Sequence, residues 1–419
     1  MDPSTPLVTN DAVVLGLLAV ILGAVFYTAH SDHPAFRRFY TYVPALLLCY
    51  FVPSIFNSLN VIDGEQSQLY FVSSRYLLPA TLVLLTLSID LEGIRRLGPK
   101  AIVMFLTGTV GIVLGGPLAI LVFSVVAPDV VGGSDPEAVW RGLTTVAGSW
   151  IGGGANQAAM KEVFEVGDDM FAAMVAVDVL VANVWMAVLL YMAGRSAQID
   201  ARIGADTAAL VVLRQRVEAF QQRHARIPSL ADLMLILAVG FGLTGLSHAI
   251  ADALAPWIAA TAPSLDRFSL TSGFFWLVVI ATTGGLALSL TRVRELEGAG
   301  ASKVGSAMLY VLVASIGMNM DIGAVVERPG LFAVGAVWMA FHAGLLLVVR
   351  RLIKAPTFYL AVGSQANVGG AASAPVVASA FHPSLAPVGV LLAVLGYALG
   401  TYGAWVCGQL MRVAASVNA

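Results

Sequence analysis

The chain has 419 residues, of which 58% are hydrophobic and only 11% charged, with a mean hydropathy of +0.85 and a formal net charge of −2. Soluble domains carry about 25% charged residues, so the composition is that of an integral membrane protein, and its near-neutral balance offers no polybasic surface for nucleic acid. The two cysteines, Cys49 and Cys407, lie in apolar runs, which argues against a disulfide framework or a thiolate metal site. The N-terminal "MDPSTPLVTNDAVV" lacks the positive region of a cleavable signal peptide, so the first apolar run reads as a retained span.

In chain order, stretches long enough to cross about 30 Å of hydrocarbon fall near 11–30, 41–60, 70–90, 101–127, 169–193, 230–250, 270–290, 304–320, 331–349 and 386–411. The expected class is an all-α polytopic protein of the plasma membrane. Two further apolar segments, 140–165 and 357–381, are interrupted by glycine and polar residues. The longest polar stretch, 194–229, is amphipathic, and no soluble domain fits in the gaps. No Walker A sequence is present to suggest that ATP drives the protein.

The first interrupted segment reads "TTVAGSWIGGGANQAAMKEVF", with Gly152, Gly153 and Gly154 followed by Asn156 and Gln157 and preceded by Ser149. Each glycine weakens a helix by roughly 1 kcal/mol relative to alanine, and burying amides is costly unless they find partners. The second reads "VGSQANVGGAASAPVVASAF" and carries Gln365, Asn367, Gly369, Gly370 and Ser373. Laid over one another, the segments pair Gly152 with Gly369 and Gly153 with Gly370. Upstream, "LTLSIDLEGI" matches "IGMNMDIGAV" and pairs Asp90 with Asp321; downstream, "DVLVANVW" lies over "GYALGTYG", pairing Asp178 with Gly396 and Asn183 with Thr401. The chain thus reads as two repeats, 1–193 and 230–419, joined by a linker at 194–229.

Charge sets their orientation, because cytoplasmic loops are rich in Lys and Arg. Basic loops follow the first and third segments of the first half (Arg37, Arg38; Arg95, Arg96, Lys100). In the second half they follow the second and fourth, and the linker holds Arg195, Arg202, Arg214, Arg216, Arg223 and Arg226. The halves are therefore expected to be inverted. Twelve full crossings would forbid inversion, and two arrangements resolve this. Either 140–165 and 357–381 are re-entrant hairpins, with glycine at each tip, or they are broken helices that cross and a further crossing lies within 194–268.

These features resemble a known group. Inverted halves, each with a GG-containing broken segment before its final span, are similar to the sodium/glutamate symporters and 2-hydroxycarboxylate transporters of the cation:proton antiporter/anion transporter grouping. The wording of "SIDL", "GSWIGGGANQAA" and "GYALGTY" is closest to the membrane family known as domain of unknown function 819. The resemblance implies secondary transport by an elevator motion in a homodimer, and it supplies no substrate. The broken segments hold less glycine after the GG pair than those of the glutamate symporters do.

Transporters use the free backbone groups of interrupted helices to hold ions and solutes near the midplane. Ser149, Gly152, Gly153, Gly154, Asn156, Gln157, Gln365, Asn367, Gly369, Gly370 and Ser373 are accordingly the expected solute site. Asp178 lies inside a span, where ionisable groups mark function; with Asn183 and Thr401 it forms the expected ion site, for Na⁺ or H⁺ and for no other cofactor or metal. Asp90 and Asp321 read as caps at span ends, Lys161 as a possible anion contact or a snorkelling side chain, and His248 and His342 as structurally satisfied. Scaffold segments are expected at 11–60 and 230–290, and a moving core at 70–193 and 304–411. The function read from this pattern is a coupled transporter of a small polar or anionic organic solute. The alternative is a cation/proton antiporter that uses Asp178. No HExxH or serine–histidine pairing supports an enzyme.

Overall fold

A computed structural model describes residues 6–205, 228–320 and 328–416, apart from Pro44, Glu65, Ser134, Ser269, Pro383 and Ser384. Asp321 and the linker arginines Arg214, Arg216, Arg223 and Arg226 fall outside the described residues. Those described are helical throughout, with one isolated bridge between Val8 and Ile62 and no strand. The first half supplies α1 (Asp11–Ala29), α2 (Pro34–Tyr42), α3 (Ala45–Ser58), α4 (Leu69–Leu87), α5 (Pro99–Val126), α6 (Val139–Gly152), α7 (Gly154–Val163) and α8 (Asp168–Gly194). A short α9 (Ser196–Ile203) opens the linker. The second half supplies α10 (Leu230–Thr261), α11 (Gly273–Ser289), α12 (Ala301–Gly317), α13 (Gly330–Ile353), α14 (Thr357–Val368), α15 (Gly370–Phe381) and α16 (Ala386–Ser416).

Local chemistry sets the ends of these helices. Ser229 and Asp232 form a reciprocal capping box at the start of α10, with bonds of 3.2 and 3.0 Å. Asp90 caps the short helix before α5 by accepting from Gly93 N–H at 3.0 Å, as its place at a span end predicts. Among the described residues seven helices are long and apolar enough to cross a membrane, and up to nine if each of two bent pairs is one span. The spans expected at 41–60 and 270–290 are shorter than drawn from sequence, since α3 has 14 residues and α11 has 17; α12, also 17 residues, keeps its expected length but begins three residues earlier. At 1.5 Å per residue they reach only about 21–26 Å.

The loops fall into two sets at opposite ends of α5. One set joins the N-terminal strand-like segment to residues 60–61 (Val8 N–H to Val61 O, 2.9 Å), Arg328 to Glu137 (3.2 Å) and Gly167 N–H to Pro136 O (3.2 Å). The other joins Arg294 to Asp90 (3.2 Å), Arg350 to Asp200 (2.7 Å) and Lys100 to the Lys354 carbonyl (3.4 Å). Further basic residues, Arg95, Arg195, Arg202 and Arg351, lie toward the second set.

Both interrupted segments turn back on themselves. A Cβ added to Gly148 on α6 would lie 2.5 Å from the carbonyl oxygen of Asn156 on α7, eight residues on, where a continuous helix would separate the two by about 12 Å. The two ends of this segment also meet, through the Gly167–Pro136 bond and a hydrogen bond from the Arg141 guanidinium to the Phe164 carbonyl. In the second segment the Phe358 and Phe381 rings, one at each end, lie 5.3 Å apart. Of the two arrangements the sequence left open, the folded-back hairpin is the one observed. The first hairpin starts at the Glu137 end of the molecule and the second at the Asp200 end.

Packing divides the helices into two groups. α4 is the spine of the first, which also holds α1, α3, α10, α11 and α12. Gly240, Gly285 and Gly305, from α10, α11 and α12, let three helices close onto residues 81–86 of α4. The second group comprises α5, α8, α13, α16 and the two hairpins. Thus α4 and α12, which the sequence reading set in the core at 70–193 and 304–411, pack with the segments expected as scaffold. Shared small-residue contacts, which hydropathy does not register, decide the grouping.

A side chain at Gly285 tests this packing, since its Cβ would meet the Val83 carbonyl at 2.7 Å. Gly285→Val should lower the thermal midpoint of the purified protein by several degrees, in line with the roughly 1–3 kcal/mol cost of overpacking. A midpoint equal to wild type would show that α4 and α11 are not in close contact.

Candidate functional site

At the tips of the hairpins the backbone adopts conformations that favour glycine: φ is +76° at Gly153 and +57° at Gly370. These are the two glycines that sequence alignment of the segments pairs. Both tips converge on one point of α16. A Cβ at Gly396 would lie 2.5 Å from the Ile151 carbonyl oxygen of the first hairpin and 3.6 Å from that of Ala366 in the second. Gly152 approaches Gly400 of the same helix, where its added Cβ would be 2.7 Å from the Gly400 Cα.

Each tip is fixed by one asparagine. Asn156 Nδ2 donates to the carbonyls of Gly152 (3.1 Å) and Tyr397 (2.9 Å), while its Oδ1 accepts from Thr401 at 2.7 Å. Asn367 Nδ2 donates to the carbonyls of Gly363 and Phe105, both at 2.9 Å, and its Oδ1 accepts from Thr109 at 2.8 Å. In both cases the amide is held by a carbonyl and a threonine four residues apart, on α16 and α5 respectively. Both are fully buried. Expected from sequence to read the solute, Asn156 and Asn367 have their donors engaged within the protein and position the tips.

Beside the first tip, Asp178 of α8 is 4% exposed and accepts from Gln157 Nε2 at 3.0 Å. Ser149 and the Trp150 indole of α6 face the same carboxylate, although the indole N–H lacks a full hydrogen bond. Gln157 Oε1 in turn accepts a long 3.5 Å bond from the hydroxyl of Tyr50 on α3. Asn183 does not join Asp178, because its amide donates to the Val179 carbonyl of its own helix at 2.8 Å. Nor does Thr401, which bonds Asn156 and lies 3.1 Å from the Thr282 hydroxyl. The expected trio of Asp178, Asn183 and Thr401 is therefore not assembled.

At the second tip, Gln365 Nε2 donates to Ser373 Oγ at 2.7 Å, while its Oε1 is buried without a partner. Behind it, the indole N–H of Trp185 donates to Ser364 Oγ (2.8 Å), which lies 2.8 Å from His342 Nε2; His342 Nδ1 is 3.0 Å from the Gly108 carbonyl. Since that carbonyl can only accept, the neutral ring carries its proton on Nδ1. Both nitrogens are engaged, as expected of a structural histidine. His248 likewise meets the Arg75 carbonyl at 2.8 Å.

Lys161 is 6% exposed and is held at the base of the first hairpin by Asp168 (2.8 Å) and the Tyr70 hydroxyl (3.0 Å). Beside it Glu162 bonds Tyr70 and pairs with Arg75 at 3.3 Å. Arg141, Arg328 and Arg350 also each have a carboxylate partner. An open cavity of about 560 Å³ lies at this same base, lined by Asp129, Glu137, Val139 and Arg328 among others. Burial raises the Glu137 carboxyl above its ordinary range there, against the opposing pull of Arg328. Among the described residues no group of three or more His, Cys, Asp or Glu side chains could hold a metal ion.

Sequence reasoning missed Tyr50, Trp150, Thr109 and the Asp200–Arg350 pair. Tyr50 and Trp150 are aromatic and merge into apolar runs, and Thr109 becomes informative only once Asn367 is seen against it. Asp200 accepts from Thr357 N–H at 2.8 Å, capping α14 from 157 residues away, a spacing no local pattern reveals.

Known proteins match this chain along most of its length. A family profile described as "Protein of unknown function (DUF819)" covers residues 16–414. The "Uncharacterized membrane protein YjcL" of Bacillus subtilis (strain 168) is 24% identical over 364 residues, spanning 83% of this chain and 85% of that protein.

The positioning role of the amides has a thermodynamic signature. Asn156→Ala and Asn367→Ala should each destabilise the protein by about 1–3 kcal/mol, since carbonyls and a threonine lose buried partners. Asn183→Ala should be close to neutral. Thermal unfolding in detergent measures all three, and equal midpoints for Asn156→Ala and wild type would remove the pinning role.

Proposed function

The chain belongs to the DUF819 family of membrane proteins, and from that premise we propose that it is a secondary active transporter of a small polar solute, coupled to Na⁺ or H⁺. The observation that carries this reading is the meeting of two helical hairpins, begun at opposite ends of the molecule, beside one buried carboxylate. Interrupted helices at membrane depth are tolerated only where protein or a polar cavity receives their backbone, and transporters place solute and ion sites there. Ser149, Gln157, Gln365, Ser373 and the backbone at Gly152–Gly154 and Gly369–Gly370 form the proposed solute site. Asp178 is the proposed ion site. Lys161, Arg75, Arg141, Arg328 and Arg350 all have carboxylate partners, which favours a polar solute read by hydrogen bonds over an anion held by a cation.

The helix groups suggest the working parts. We assign α1, α3, α4, α10, α11 and α12 to a scaffold that also mediates a homodimer, and the remaining helices and hairpins to a core that moves as an elevator. The resemblance to sodium/glutamate symporters and 2-hydroxycarboxylate transporters supports this division, as does the opposed entry of the hairpins, which is what two inverted repeats would give. We assign the Asp90–Arg294 face, with its excess of basic residues, to the cytoplasmic side of a plasma membrane. A cation/proton antiporter is the second reading, favoured because the groups that meet Asp178 among the described residues, Gln157, Ser149 and Trp150, are all uncharged.

Two experiments test this. A thermal-shift screen of the purified protein against metabolites, with and without Na⁺, identifies a solute for uptake into proteoliposomes. Asp178→Asn should then weaken ion dependence about ten- to hundredfold, the worth of one charge-assisted contact. An unchanged half-saturation for both ions would remove Asp178 from the site, and pure cation exchange with no solute would favour the antiporter. For sidedness, Leu7→Cys and Ser416→Cys should react with an impermeant thiol reagent in intact cells, and Ala201→Cys only after permeabilisation. Labelling of position 201 in intact cells would reject the inverted topology.

A further inference from the structure

The hydrogen-bonded chain Tyr50–Gln157–Asp178 crosses the boundary between the two helix groups, since α3 lies on one side and α7 and α8 on the other. Around the carboxylate, the nearest groups present hydrogens. Gln157 offers its amide N–H at 3.0 Å, the Trp150 indole its N–H, and Ser149 a hydroxyl. Hard cations are held by shells of oxygen ligands, and N–H dipoles aimed at the carboxylate would repel a metal ion seated on it. The same donors suit a carboxylate that alternates between its charged form and a form carrying one proton.

We propose that Asp178 binds the coupling proton rather than Na⁺, and that Gln157 and Tyr50 transmit its charge state across the boundary between the helix groups. The proposal rests on the transport reading. In the ionised state Tyr50 O–H donates to Gln157 Oε1, and Gln157 Nε2–H donates to the carboxylate. When a proton from the aqueous phase forms an O–H bond on Asp178, that O–H becomes a donor facing the amide N–H. The conflict is relieved if the Gln157 amide turns over, so that Oε1 accepts from Asp178 and Nε2–H donates to the Tyr50 oxygen. No covalent bond other than the acid O–H forms or breaks, and the proton returns to water on the opposite side. Protonation thereby removes a buried charge from the core and reverses the sense of its hydrogen bond to α3.

The other titratable groups around this chain are few. From α3 come Tyr50 itself and Cys49, with Tyr310 of α12 behind them. His342 of α13 borders Trp185, about two turns along α8, with both nitrogens engaged. Arg141 of α6, Lys161 and Glu162 of α7, Asp200 of α9, Arg350 of α13 and Tyr359 of α14 sit near the bases of their elements. The charged ones pair there.

Infrared difference titration of the purified full chain in detergent tests the proposal without any solute. A protonated-carboxyl C=O band should grow as pH falls, vanish in Asp178→Asn, and keep its midpoint when Na⁺ replaces choline. Gln157→Leu removes a donor from the ionised form and should move the midpoint upward by about one pH unit, a tenfold gain in proton affinity. Tyr50→Phe, a milder change, should move it the same way by less and alter the amide band of Gln157. A midpoint that falls as Na⁺ rises would establish a sodium site and overturn the assignment. So would the absence of a titrating band that depends on Asp178, and a midpoint unmoved in both variants would overturn the relay. These outcomes are independent of the transport reading, which fails instead if folded, proton-binding protein moves no solute or cation in proteoliposomes.

Discussion

A helix cannot be interrupted within hydrocarbon unless its freed carbonyls and amides find partners in the protein, and this chain interrupts two. The two tips meet that constraint in the same manner. Each uses one asparagine whose amide hydrogens satisfy a carbonyl four residues back in the same hairpin, across the tip for Asn156 and within α14 for Asn367, and a carbonyl of a long helix. A threonine one turn further along that helix completes the bond to Oδ1. The helix is always borrowed from the other half of the chain: α16 serves the first hairpin and α5 the second. Neither hairpin can therefore settle before the halves associate, and the convergence of the tips at Gly396 follows from these two attachments rather than from any direct bond between the tips.

The two helix groups differ in how they are joined. Within the first, glycines bring backbones to van der Waals contact along α4; within the second, Trp338 fills the space beside Gly115 and Gly116 and bonds the Ile112 carbonyl at 2.9 Å. Such packing has one good arrangement, because close-packed interiors resist gradual deformation. The contacts that cross the boundary include many polar ones: Tyr50 with Gln157, Tyr70 and Arg75 with Glu162, Thr282 with Thr401, and Thr283 with Tyr402. Hydrogen bonds and ion pairs can be exchanged for new ones after a displacement, at little net cost when partners or water are at hand. The seam between the groups is in this respect unlike the close-packed interior of either one.

Most of the architecture was legible because hydropathy and glycine punctuation are local signals. Most expected spans contain an observed helix, though those at 41–60 and 270–290 are shortened, and the pairing of Gly153 with Gly370, made on sequence alone, matches two residues that share a positive φ. Asp178 stood out because a carboxylate inside a span is costly, and it does lie beside the first tip. What stayed hidden depends on tertiary neighbours. Asn156 and Asn367 looked like free amides until the carbonyls of Tyr397 and Phe105 were seen against them. Which helices α4 and α12 touch is not legible either, because an apolar helix gives the same hydropathy whichever group it packs with. Asn183 was chosen by its alignment with Thr401, yet a short polar side chain in a helix readily bonds its own carbonyl, and this one does.

The aligned pair Asp178 and Gly396 shows why the site carries a single charge. Both hairpins approach Gly396, and a Cβ there would already stand 2.5 Å from the Ile151 carbonyl. No side chain fits, least of all a carboxylate facing a carbonyl oxygen. Asp178, on the equivalent helix of the other half, is displaced to the flank of the first tip, where Gln157, Ser149 and Trp150 meet it with donors. Two carboxylates at matched positions would repel across the short gap between the tips, and one would have to take up a proton to relieve it. With glycine at one position and aspartate at the other, the tips can touch and the charge remains available to titrate. The asymmetry between the halves is thus what leaves one buried carboxylate, and not two, beside the tips.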